Sequence, residues 1–139
     1  MRQATHQISI DTRGKGLYEL TGAVREWVAG TRIRTGVVTL YIQHTSASLL
    51  IQENADPEVQ RDLERFFTRL VPDGDPLFRH TVEGPDDITA HVRSALTQTH
   101  LAIPVADGKP ALGTWQGVFL YEHRREAHER SVLLTLMGE

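Results

Sequence analysis

The chain predicts an α+β domain, mostly antiparallel, with helices covering one side of a β-sheet or sandwich. Three observations predict it. Short runs rich in β-branched and aromatic residues recur along the chain, GVVTLYIQ from Gly36 to Gln43 being the strongest. A long segment from Asp56 to Leu70 instead repeats its apolar residues at helical spacing. The order of segments is strands, helix, strands, two helices, then strands, in 139 residues that are 40% apolar and 24% charged. A chain of this size buries a real core as one domain, and residues 1–139 carry no internal repeat, low-complexity tract or linker.

The elements follow in order. Gln3 to Ile10 alternates loosely and reads as a strand, closed by the turn Arg13-Gly14-Lys15-Gly16. Leu17 to Leu20 is short and would pair back as a hairpin. Thr21 to Ala29 reads as a helix, with Thr21 as N-cap, Gly30 as the stop, and Val24, Trp27 and Val28 on one face. Leu49 to Gln52 is a further strand. In the long helix Asp56 is the N-cap and Pro57 sits at N1, while Val59, Leu63, Phe66, Phe67 and Leu70 form its stripe. PDGDP, from Pro72 to Pro76, ends it. Asp87 to Thr97 is a shorter helix capped by Asp86 or Asp87. Leu101 to Val105, Ala111 to Glu122 and Ser131 to Met137 are the last strands, broken by Asp107-Gly108-Lys109-Pro110 and by the charged loop RREAHER.

Composition excludes several functions. A net charge of −3 argues against a broadly basic nucleic-acid-binding face. The absence of cysteine removes disulfides and thiolate metal sites, so any transition metal must use His, Asp or Glu. The polar N-terminus MRQATHQISIDTRGKG has no apolar signal-peptide core, and no run approaches bilayer-spanning length. A cytoplasmic protein with no membrane partner is expected.

Four segments carry more polar chemistry than packing requires. His44-Thr45-Ser46 stands at the end of the strongest strand, where a rigid scaffold presents a loop. RHTVEGPDDITAH, Arg79 to His91, alternates imidazoles and carboxylates; His91 falls on or beside the inward face of its helix, while His80 and Glu83 lie on a loop. An imidazole there needs hydrogen-bond partners or a metal. The spacing is not that of a zincin, so a core histidine satisfied by a carbonyl is the plainer reading. LGTWQG, Leu112 to Gly117, places glycines in a strand pattern, with Trp115 and Gln116 on alternate faces. EHRREAHER, Glu122 to Arg130, is either a solvated hairpin loop or an arginine cluster for phosphate.

Taken together, HTSASL, NADPEV, EGPDD with its following His, IPV and DG, LGTWQG and EHR resemble the YjbQ-like family. The likeness runs from about Ile8 to the C-terminus, with the motifs in the family's order. The resemblance implies an α+β fold, a homotrimer, and a weak or secondary thiamine-phosphate synthase activity, which joins a pyrimidine diphosphate to a thiazole phosphate and releases pyrophosphate. By position, His44, His80 and His91 match the family's recurrent histidines, Glu83 and Asp87 its acidic positions, and Gly113 to Gln116 its signature strand. Arg125 to Glu129 depart from the family's Gly-rich turn, while Arg124 and Arg130 keep their places.

The expected site is therefore a pocket where His44, His80 and His91 converge on a divalent metal, Zn²⁺ or Mg²⁺, with His44, Glu83 and His91 as catalytic groups. Thr45, Ser46, Asn54, Trp115, Gln116, Arg124 and Arg130 are the expected contacts to a phosphorylated small molecule. An all-histidine site is an odd choice for a diphosphate leaving group, which calls for Mg²⁺ on oxygens, so the thiamine reaction reads as a side activity. The competing function is a non-enzymatic trimer that binds a metal or metabolite as a sensor or accessory subunit.

Overall fold

A computed structural model describes residues 1–139. Eight strands form two antiparallel sheets, and three helices pack with them. The larger sheet has the order β1 (Arg2–Thr12), β8 (His128–Gly138), β3 (Gly36–Ile42), β5 (His100–Ala106) and β6 (Lys109–Pro110). The smaller has β2 (Gly16–Glu19), β7 (Gln116–Glu122) and β4 (Ala47–Glu53). Between them lies one core, built from alternate residues: Val38, Leu40 and Ile42 of β3, Val132, Leu134 and Leu136 of β8, Leu49 of β4, Val118 and Leu120 of β7. Helix α1 (Thr21–Thr31) closes it with Val24 and Val28, both fully buried. No helix is long and apolar enough to cross a membrane.

The opposite face of the large sheet is open. Val37 and Tyr41 of β3 stand across from Met137 and Leu133 of β8, and Val37, Tyr41 and Met137 are each nearly half exposed. Close approach of β3 and β8 at their ends depends on Gly36 and Gly138, which face each other; a Cβ on Gly138 would lie 2.0 Å from the carbonyl oxygen of Thr35.

Helix α2 (Pro57–Leu70) forms as its sequence predicts, with the Asp56 carboxylate accepting from the Glu58 N–H and Pro57 at the start. Its stripe is not sunk in the core: Phe66 and Leu70 are about half exposed. A polar anchor holds it instead. Arg93 of α3 (Asp87–Leu96), fully buried, donates to both oxygens of Glu64, and its guanidinium lies over Phe67 and Tyr121 at 5.6 and 5.2 Å.

Several local expectations are corrected. β2 pairs with β7, not back on β1. Thr21 is the first helical residue rather than the cap, because its hydroxyl donates to Glu19 and accepts from the Val118 N–H. Gly30 lies inside α1; Arg32, in the left-handed region at φ 61°, ends it. The strand expected from Ala111 to Glu122 begins only at Gln116, as β7, since Gly113 to Trp115 form a turn closed by Gln116 N–H on the Gly113 carbonyl.

Candidate functional site

The first turn of α3 follows the Gly84-Pro85 turn and carries Asp86 and Asp87. Asp87 and His91 are four apart, so their side chains share one helix face. Oδ2 of Asp87 lies 3.0 Å from Nε2 of His91 and 2.9 Å from Nε2 of His80, which reaches in from the preceding loop. The ligand-type atoms of His80, Asp87 and His91 all lie within 4.8 Å of one another. Atoms sharing a tetrahedral Zn²⁺ at about 2.0–2.1 Å stand roughly 3.3 Å apart, so small side-chain rotations would complete the set.

Asp87 is buried, and its Oδ1 accepts from Arg124 Nη1 at 2.9 Å. Arg124 spends its other nitrogens on Asp86 Oδ2 and on the Glu83 carbonyl, each at 3.0 Å. It clamps the first turn of α3 and is not free for phosphate. Burial raises the Asp86 pKa, but the Arg125 backbone N–H and the Arg124 guanidinium outweigh it and hold the carboxyl below its ordinary range. Glu83 itself is exposed, its carboxylate 3.8 Å from Arg124. The site uses its backbone carbonyl, and the structure does not bring its carboxylate to the imidazoles.

His91 shows whether these residues fit a cation. Its Nδ1 lies 3.0 Å from the Thr45 carbonyl oxygen, which can only accept, so Nδ1 carries the proton. A neutral ring then turns the lone pair of Nε2 toward the Asp87 carboxylate at 3.0 Å, acceptor against acceptor. A proton or a cation shared by Nε2 and Oδ2 relieves this contact. A carbonyl on Nδ1 is also the usual support for a metal-binding Nε2. The donor set fits a divalent ion.

His44 is not part of this group, contrary to the expected three-imidazole convergence. Its Nε2 accepts from the Ser131 N–H at 2.9 Å, which leaves the ring proton on Nδ1 and no ring nitrogen for a metal. Burial, then the charge of Arg130, holds its pKa below the ordinary value, so the ring is neutral near pH 7. Arg130 is buried and donates through Nε and Nη2 to Glu122, and through Nη2 to the Ser46 hydroxyl at 2.9 Å. Even so, His44 and His91 line one cavity of about 340 Å³ with Thr45, Ser94 and Thr99. A second cavity of about 580 Å³ shares His44, Thr45 and Thr99 with it and extends to Ser46 and Arg130.

Asn54, Trp115 and Gln116 lie elsewhere. Ala47 pairs with Glu122 at one end of the β4–β7 ladder, and Glu53 pairs with Gln116 at the other. That separation is about 20 Å at roughly 3.4 Å per residue. Asn54 donates to Glu19, the Gln116 amide oxygen accepts from the Gly113 N–H, and Trp115 is 62% exposed. Within the chain they do not join the histidines. Two important groups were absent from the expected site: Asp87 as the shared anchor, and Glu122 as the partner of Arg130. The four-residue spacing of Asp87 and His91 was a usable signal for the first.

The comparisons with known proteins agree with one another. Residues 6–139 match the family described as UPF0047 protein YjbQ-like. The chain is 48% identical to a UPF0047 protein of Synechocystis sp., over 99% of this chain and 94% of that one. It is 40% identical to the UPF0047 protein YjbQ of Escherichia coli, over 95% of this chain and 96% of that one. Among solved structures, a conserved hypothetical protein from Thermus thermophilus superposes with a TM-score of 0.85 at 35% identity, covering 95% of this chain and 99% of that one. An uncharacterized conserved protein of the YjbQ/UPF0047 family from Clostridium acetobutylicum gives 0.87 at 28%, with 95% and 99% covered. Matched in sequence from residue 6 to the C-terminus and in fold over nearly its whole length, the chain belongs to the UPF0047 protein YjbQ-like family.

Proposed function

We propose that this chain is a small-metabolite enzyme whose centre is a divalent-metal site made by His80, Asp87 and His91. The observation that carries the reading is the His91 ring, held between the Thr45 carbonyl and the Asp87 carboxylate, both of which accept. Two imidazoles and one carboxylate suit Zn²⁺, whereas Mg²⁺ prefers an all-oxygen shell. Thr45 sets the tautomer of His91, and Arg124 fixes the rotation of Asp87. When bound, the ion supplies Lewis acidity toward a substrate oxygen. Thiamine-phosphate synthesis, implied by the resemblance, is proposed as a slow side reaction. Its diphosphate calls for Mg²⁺, yet Asp73, Asp86 and Glu122 are each engaged by Lys or Arg, so the substrate must bring that ion itself.

The chain is further proposed to assemble as a homotrimer. The open face of the large sheet, with Val37, Tyr41 and Met137, supports this, because a second copy of the same chain would cover it.

Equilibrium dialysis against Zn²⁺ with elemental analysis tests the metal site. One ion per chain is expected. His91→Ala and Asp87→Asn should lose it, and His44→Ala should keep it. Undiminished zinc in His91→Ala would overturn the proposal.

A further inference from the structure

We propose that His44 and Arg130 form an oxyanion pocket beside that centre, taking the phosphate-ester or carboxylate group of the substrate. The inference deepens the metal-enzyme reading and rests on it for the word substrate. Because Nε2 of His44 accepts from the Ser131 N–H, its Nδ1 is a donor. Arg130 Nη1 lies 3.5 Å from that Nδ1, also a donor, so the pair is both too far apart and of the wrong polarity to bond. Nε and Nη2 of Arg130 are spent on Glu122 and Ser46, which leaves Nη1 without an acceptor on the protein. Adjacent donors with no protein acceptor, on the wall of a cavity, are what a charged oxygen group requires.

His44 is the mirror image of His91. One ring faces two acceptors, where a proton or a cation fits; the other stands beside a second donor and calls for an anion. Both line the same cavity of about 340 Å³, so one small molecule reaches both. Glu122 neutralises Arg130, and the pocket therefore selects by the placement of its N–H groups more than by net charge.

The test titrates inorganic phosphate and, separately, acetate into zinc-loaded wild type, His80→Ala and His44→Phe, by calorimetry. The ¹⁵N resonances of the His44 ring are followed in wild type, which needs no variant to fold. The expected result is saturable binding of at least one probe in wild type and in His80→Ala, a loss of tenfold or more in His44→Phe, and movement of the His44 nitrogens. Binding by phosphate alone assigns an ester, and binding by acetate alone a carboxylate. Anion binding in a chain that takes up no zinc removes the metal reading and leaves this pocket standing. The proposal is overturned if the His44 nitrogens stay fixed at saturation, if neither probe binds, or if binding vanishes in His80→Ala while His44→Phe retains it, since the anion then sits on the metal.

Discussion

Replacing Glu122 with Gln tests the frame that holds this pocket. The Glu122 side chain is fully buried. Its oxygens accept from Arg130 Nε at 2.8 Å and from Arg130 Nη2, from the Thr12 hydroxyl at 2.6 Å, and from the backbone N–H groups of His123 and Arg124 at 3.1 and 3.2 Å. A glutamine turns one of those oxygens into an NH₂ that must face donors, and it leaves the buried Arg130 without a counter-charge. Breaking one side of a buried ion pair costs about 3–5 kcal/mol. Unfolding entropy of about 2.1 cal/mol/K per residue gives roughly 0.29 kcal/mol/K for 139 residues, so the melting temperature should fall by about 10–17 °C. Burial raises the Glu122 pKa, but the hydrogen bonds from Arg130 and Thr12 outweigh it, and the folded value lies below the ordinary one. The stabilisation is therefore complete above the unfolded pKa of about 4.3 and is lost as pH falls further. Thermal unfolding by circular dichroism should show the full gap between wild type and variant at pH 7 and a narrowing gap below pH 4. A loss under about 1 kcal/mol at pH 7, near 3 °C, would show that the Glu122 charge does not hold Arg130 in place.

Other outcomes follow from the same structure. His123 is fully buried and burial pushes its pKa down to about 2, so between there and about 6.5 only the unfolded chain takes up its proton. Stability should then fall by about 1.4 kcal/mol per pH unit below 6.5, and a denaturant series in which His123→Phe has the same slope would contradict this. Gly138→Ala drives a Cβ to 2.0 Å from the Thr35 carbonyl and should cost about 1–3 kcal/mol, read as a lower denaturation midpoint; an unchanged midpoint would show that the β3–β8 ends can part freely. Arg124→Ala releases Asp87 and should weaken zinc affinity about 10–100-fold; dialysis showing wild-type affinity would mean that Asp87 needs no clamp. Light scattering should return three times the 15.6 kDa chain mass, and a monomer across the micromolar range would end the trimer proposal.

Much of this was legible in local chemistry. Asp56-Pro57 followed by a helical stripe specified α2, because cap, first turn and apolar spacing are all near neighbours in sequence. The β-branched run ending in Ile42 specified β3 for the same reason. What the sequence concealed was long-range. Nothing local says that Gly16–Glu19 pairs with Glu122–Phe119, or that the stripe of α2 is secured by a buried arginine from another helix. LGTWQG read as strand because its alternation is right, yet Gly113 and the Gln116 amide close a turn. At the site, the structure brings together only part of the expected group. His80 and His91 do meet, but through Asp87, while Ser131 of β8 takes the ring nitrogen that His44 would have offered a metal. Strand pairing across 87 positions decides that bond, and no spacing rule reports it.

Anomalous scattering at the zinc edge, from crystals of zinc-loaded protein, tests the central claim most directly. One strong peak per chain is expected at about 2.0–2.1 Å from Nε2 of His80 and Nε2 of His91, with the Asp87 carboxylate as third ligand. An anomalous peak on His44, or zinc-replete crystals with no peak between His80 and His91, would contradict it.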